Sequence, residues 1–85
     1  MQITPIEIGS VVRSTAGRDA GRNLLVIAIP DEEFVLLADG KLRTVAKPKK
    51  KKIRHIKTTG ITVAEAAGNL TDAAIRKWLS NEEEL

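Results

Sequence analysis

Two short stretches hold the residue types most able to act on another molecule. The first is "AGRDAGR", residues 16–22, in which Gly17 and Gly21 flank Arg18 and Asp19 and Arg22 follows. Glycines at that spacing suit a loop that needs positive φ or close backbone approach. Such a loop can present backbone N–H groups, with Arg18 and Arg22, to phosphate oxygens. Asp19 is expected to order the loop or to pair with an arginine. The second stretch is "KPKKKKIRHIK", residues 47–57. The chain carries a net charge of +3, unevenly spread. Residues 1–40 hold three basic and six acidic side chains, and residues 58–85 hold two basic and five acidic ones. Residues 41–57 hold nine basic side chains and no acidic one: Lys41, Arg43, Lys47, Lys49, Lys50, Lys51, Lys52, Arg54 and Lys57. A solvated face normally mixes signs. Like charges crowded this way repel unless a polyanion relieves them, which points to nucleic acid.

Other chemistries find no support. There is no cysteine, so neither disulfides nor thiolate chemistry arise. His55 stands alone, without the companions of a metal site, and is expected to stack on a base or to sit in a strand. Ser10, Ser14 and Ser80 have no partner pattern for a nucleophilic triad. Asp31, Glu32 and Glu33 are adjacent in a turn, which makes them solubilising rather than catalytic. "GRDAGRN" is one residue too short for a phosphate-binding P-loop and lacks its Lys-Ser/Thr pair. The composition of "PKKKKIR" also fits a nuclear import signal, the weakest of the readings of that run. No enzyme, cofactor, metal or small-molecule substrate is expected. No apolar run approaches the roughly 20 residues of a membrane helix, and the first ten residues lack the features of a secretory signal, so a cytoplasmic protein is expected.

The elements that must position these residues are short. The 85 residues suffice for one small domain with an appendage, and with only Phe34 and Trp78 as aromatics its core must be aliphatic. "SVVR" predicts a strand near residues 10–13, and "NLLVIAI", residues 23–29, a buried one. After turn chemistry at "PDEE", "FVLLA" predicts a third strand. Asp39–Gly40 between apolar runs predicts a two-residue hairpin leading into "KLRTVA" as a further alternating strand, ended or pushed to a sheet edge by Pro48. "KIRHIK" is left to close a small barrel or sandwich, and the three-residue spacing of Ile53 and Ile56 predicts a bulge or short 3₁₀ turn. Beyond Thr58 two short helices are expected. "TVAE" reads as a capping box with Thr62 at the cap and Glu65 three residues on, stopped by Gly68. Thr71 caps the second, where Ile75, Trp78 and Leu79 share one face. Glu82, Glu83 and Glu84 stand at its negative end, where fraying is expected.

Residues 16–22 resemble the centre of the KOW motif, typically Ser-Gly-Lys-Asp-Lys-Gly-Lys after a strand. Gly17, Arg18, Asp19, Gly21 and Arg22 match in type and spacing. With "VVRS" before it and "FVLLADGKLR" after it, residues 8–57 look like the small bacterial KOW proteins that resemble KOW-class proteins of the large ribosomal subunit. Ala16 and Ala20 replace the usual Ser and Lys, and Asn23-Leu24-Leu25 stands where a further glycine is common. The resemblance implies a mainly β chain with a five-stranded SH3-like barrel, assigned to residues 1–57; the helical appendage expected over 58–85 lies outside the motif, and the resemblance does not explain it. It also implies binding of structured RNA, usually ribosomal. The expected RNA face joins Arg18 and Arg22 to the nine basic residues of 41–57. The alternative is an SH3-like protein-interaction module contacting the transcription or translation machinery.

Overall fold

The computed structural model describes residues 6–68 and 70–83. Five strands form one antiparallel sheet: β1 (Ser10–Ser14), β2 (Asn23–Ala28), β3 (Phe34–Ala38), β4 (Lys49–Lys52) and β5 (Ile56–Thr62). Their spatial order is β4-β3-β2-β1-β5. A 3₁₀ turn, Ile53–His55, separates β4 from β5, a second one spans Ala64–Ala67, and helix α1 covers Asp72–Glu83.

The first three strands lie where alternation and apolar runs place them. Successive strand side chains point to opposite faces, and here both faces are buried. Val12, Leu24, Val26, Val35 and Leu37 form one cluster, flanked by Ile6, Ile53 and Ile56. Val11, Leu25 and Ala38 form the other with Ala66, Ile75 and Leu79. This is why "NLLVIA" reads as unbroken apolar sequence. The C-terminal segment supplies the cover for the second face, with Ile75 and Leu79 buried and Trp78 packed against the same cluster.

Three expectations give way. Residues 41–46 form no strand. A type I′ turn requires positive φ at both central residues, and only Gly40 has it, since no non-glycine among the described residues does. The backbone donors of the alternating segment are instead captured by carboxylates. Asp39 Oδ1 accepts from the N–H of Lys41 (2.8 Å) and of Arg43 (2.9 Å), and Asp72 Oδ1 accepts from Val45 N–H (2.8 Å). The lysine run itself is the fourth strand, pairing with β3 from Phe34↔Lys52 to Leu37↔Lys49. Secondly, the sheet is not closed, because β4 and β5 are its two edges. The turn between them spends its bonds elsewhere: Ile53 N–H donates to Glu33 O (2.8 Å), and His55 O accepts from Thr15 N–H (2.9 Å). Thirdly, Thr62 ends β5 rather than capping a helix, and the following 3₁₀ turn has Val63 at its cap with no side-chain bond.

The expected 3₁₀ turn after β4 is present, and Thr71 caps α1, its Oγ1 accepting from Ala74 N–H at 3.1 Å. Helix α1 lies on β2 and on the loop after β3. Arg76 Nη1 donates to Gly40 O at 2.6 Å. Gly40 has φ +80°, and a Cβ there would run into Asp72 O and Arg76 Cγ. The expected fraying concerns Glu84 and the side chains of Glu82 and Glu83, which lie outside the described residues.

Candidate nucleic-acid interface

The loop between β1 and β2 is built around Gly17 (φ +76°) and Gly21 (φ +84°). Its backbone folds on itself. Ala20 N–H donates to Gly17 O (3.2 Å), Arg22 N–H to Asp19 O (2.9 Å) and Gly21 N–H to Ser14 O (2.9 Å). The Ser14 hydroxyl donates to Ala16 O at 3.0 Å. Charges then tie this loop to the one after β3 in a reciprocal pair. Arg43 Nη2 donates to Asp19 Oδ2 at 3.2 Å, and Arg22 Nη1 stands 3.6 Å from Asp39 Oδ2. Asp19 therefore pairs with an arginine, one of the two roles expected of it.

The basic residues singled out in the sequence divide into two kinds. Lys51 is only 8% exposed. It lies opposite Val35, on the strand face that carries the Val12–Leu37 cluster, and its ammonium donates to Ala16 O. Arg43 is committed to Asp19, and Arg22 reaches Asp39 while staying half exposed. The rest face water. Arg18, Lys41, Lys47, Lys50, Arg54 and Lys57 are exposed, and Lys49 and Lys52 are partly so. None of these forms an ion pair with a described carboxylate; among the described residues the pairs are Arg22–Asp39 and Arg43–Asp19. Lys50 Nζ sits 4.5 Å from the centre of the Phe34 ring. Lys52 and Arg54 border a shallow depression shared with Glu32, Glu33 and Ile53, so its lining mixes signs.

Arg13 is a cation that the basic run hides. It is the one charged residue of β1, exposed on a strand otherwise buried, and directly opposite Lys57 of β5. Opposed residues of an antiparallel pair share a face. Its Nε donates to Asn23 Oδ1 at 3.3 Å, so Asn23, Arg13 and Lys57 form a row across three strands at the loop end of the sheet. The signal was the lone charge in "SVVRS": Arg13 shares a face with buried Val11 but stands exposed nearer the loop end of the strand. The 3₁₀ turn is held to Thr15 through His55 O, while Arg54 within it borders the depression beside Glu32 and Glu33. His55 itself is in that turn, half-buried, rather than in a strand. Among the described residues no group of three or more His, Asp or Glu side chains is placed to hold a metal, and no helix is long and apolar enough to cross a membrane.

No family model matches the chain. Individual proteins do. Large ribosomal subunit protein eL14 of Desulfurococcus amylolyticus is 43% identical over 54 residues, 64% of this chain and 56% of that protein. Its counterpart in Staphylothermus marinus is 32% identical over 71 residues, 84% of this chain and 74% of the relative. The chain belongs to the eL14 family. A third eL14 protein, from Pyrobaculum arsenaticum, is 35% identical over 71 residues, 84% of this chain and 69% of the relative. The chain thus spans little more than half of the Desulfurococcus eL14 and about three quarters of the Staphylothermus one. eL14 proteins carry KOW motifs, so the resemblance to KOW-class ribosomal proteins holds, but these relatives are archaeal and lend no support to a bacterial origin. Nor do they support a transcription-machinery contact.

Proposed function

We propose that this chain binds ribosomal RNA as a component of the large ribosomal subunit, in the cytoplasm, and catalyses nothing. The observation that carries the reading is the unpartnered positive edge at the β1–β2 loop. Arg13 and Lys57 stand directly opposite one another, with Arg18 exposed in the adjoining loop and no described carboxylate paired to any of the three. Like charges directly opposed in a sheet destabilise it, and a phosphate backbone removes that cost. Both aromatic rings are occupied: Phe34 lies under Lys50 and Trp78 packs against the core. Base stacking is therefore minor, and contacts to phosphate and to RNA shape dominate. Sequence discrimination by the protein alone is weak.

We read the sheet as an SH3-like barrel that is open between its edge strands. Strand order, and a 3₁₀ turn joining the two edges, support that connectivity. The test is crosslinking in cells followed by sequencing of the bound RNA. Enrichment of one segment of large-subunit ribosomal RNA is the expected result. Crosslinks spread evenly over messenger and transfer RNA would overturn the proposal.

A further inference from the structure

We infer that Arg43 and Lys51 serve RNA binding as positioning residues: they lock the β1–β2 loop in its binding shape before RNA arrives and touch no phosphate themselves. This rests on the RNA-binding reading above and assigns roles within it. By residue type both belong with the phosphate ligands of the basic segment. Their geometry separates them from it.

An arginine grips phosphate through two parallel N–H groups on one edge of its guanidinium. Arg43 keeps 31% of its side chain exposed, but the edge formed by its Nε and Nη2 is withdrawn. Nη2 donates to Asp19 Oδ2 at 3.2 Å, and Nε is buried with no hydrogen-bond partner. A surface ligand would not hide a donor in this way. A group held for its shape and for its charge against the buried Asp19 carboxylate would. Lys51 is likewise withdrawn. Its stem runs along the inner face of β4, and its ammonium ends on Ala16 O, beside Gly17. The two tethers reach the loop from different elements, Lys51 from β4 and Arg43 from the loop after β3. Between them lies Arg18, exposed and without a described ion-pair partner. Arg18 is thus the side chain the loop presents, and the tethers fix the backbone from which it extends. Ordering a loop in advance removes from binding the entropy of ordering it on contact.

The experiment compares Asp19→Asn, Arg43→Gln and the double variant with the full wild-type chain. Binding to large-subunit ribosomal RNA is measured across a salt series, and amide hydrogen exchange of residues 16–22 is measured without RNA. A positioning pair gives four results together. Each single variant weakens binding by a similar factor, about tenfold if the pair is worth 1.4 kcal/mol. The double variant is no weaker than either single one. The salt slope stays at the wild-type value, because no phosphate contact is lost. Loop amides exchange faster in all three. Lys51→Met, which keeps the apolar stem, tests the other tether independently and gives the same pattern should Asp19→Asn fail to fold. The inference is overturned if Arg43→Gln lowers the slope by about 0.7 to 0.9, the share of one phosphate, while Asp19→Asn tightens binding. Unchanged loop exchange in the variants, with RNA binding intact, overturns it as well. If the wild-type chain does not bind RNA at all, the functional reading itself fails and the positioning role falls with it; faster loop exchange would then leave the tethers as a folding device only.

Discussion

Replacing Gly40 by alanine tests whether α1 is seated on the loop after β3. Gly40 has φ +80°, and an alanine there costs about 1 to 2 kcal/mol in backbone strain alone. Its Cβ would also collide with Asp72 O and come within 2.8 Å of Arg76 Cγ, so the helix must move. Overpacking of this kind costs about 1 to 3 kcal/mol. The two sum to about 2 to 5 kcal/mol, a large part of the roughly 4 to 13 kcal/mol expected of 85 residues. Gly60→Ala is the matched control: φ is +83°, and nothing lies within 4 Å of the added Cβ. It carries the strain without the collision. Thermal unfolding followed by circular dichroism should show the midpoint of Gly40→Ala falling about 4 to 24 °C below that of Gly60→Ala, from the collision of about 1 to 3 kcal/mol at roughly 4 to 8 °C per kcal/mol. Trp78, the sole tryptophan, packs against the cluster that α1 covers. Its emission should shift to the red in Gly40→Ala and stay unchanged in Gly60→Ala. Equal losses in the two variants, with unchanged emission, would refute the docking of α1 described above.

Lys51→Glu should lose about 3 kcal/mol or more in urea titrations, because it buries a carboxylate against the Ala16 carbonyl. Lys50→Glu, on the exposed side of the same strand, should lose about 1 kcal/mol at most, chiefly its contact with Phe34; the opposite order would contradict the alternation assigned to β4. Deleting residues 71–85 removes Ile75 and Leu79 from the core, worth about 1.5 to 3 kcal/mol each. The shortened chain should melt far lower or aggregate, and a monomer with an unchanged midpoint in light scattering and calorimetry would refute the structural role of α1.

How much was legible follows from how local each signal was. The strands of "SVVRS", "NLLVIA" and "FVLLA" were readable because alternation and β-branching are short-range, and Thr71 because a cap acts within four residues. The hairpin expected at Asp39–Gly40 fails for one local and one distant reason: the Asp39 carboxylate takes the N–H groups of Lys41 and Arg43, and Asp72 takes the Val45 N–H from 27 residues away. The lysine run as a strand was hidden for a related reason. Lysine has little β-propensity, and only pairing with β3 defines β4. The basic face was legible as charge but not as geometry. Composition could not show that Lys51 turns inward, that Arg43 belongs to Asp19, or that Arg13, outside the basic segment, faces Lys57.

The central claim is that phosphates meet the exposed cations at the loop end of the sheet and along β4. Filter binding of large-subunit ribosomal RNA over a salt series tests it most directly, comparing the wild-type chain with a variant carrying Gln at positions 13, 18, 54 and 57. If Arg13, Arg18, Lys50, Lys52, Arg54 and Lys57 each meet one phosphate, the slope of log K against log salt should be about −4 to −5, at roughly −0.7 to −0.9 per contact. The variant should keep its circular dichroism spectrum, retain a slope of only about −1 to −2, and bind at least 100-fold more weakly at low salt. A folded variant with the slope and affinity of the wild-type chain would contradict the account.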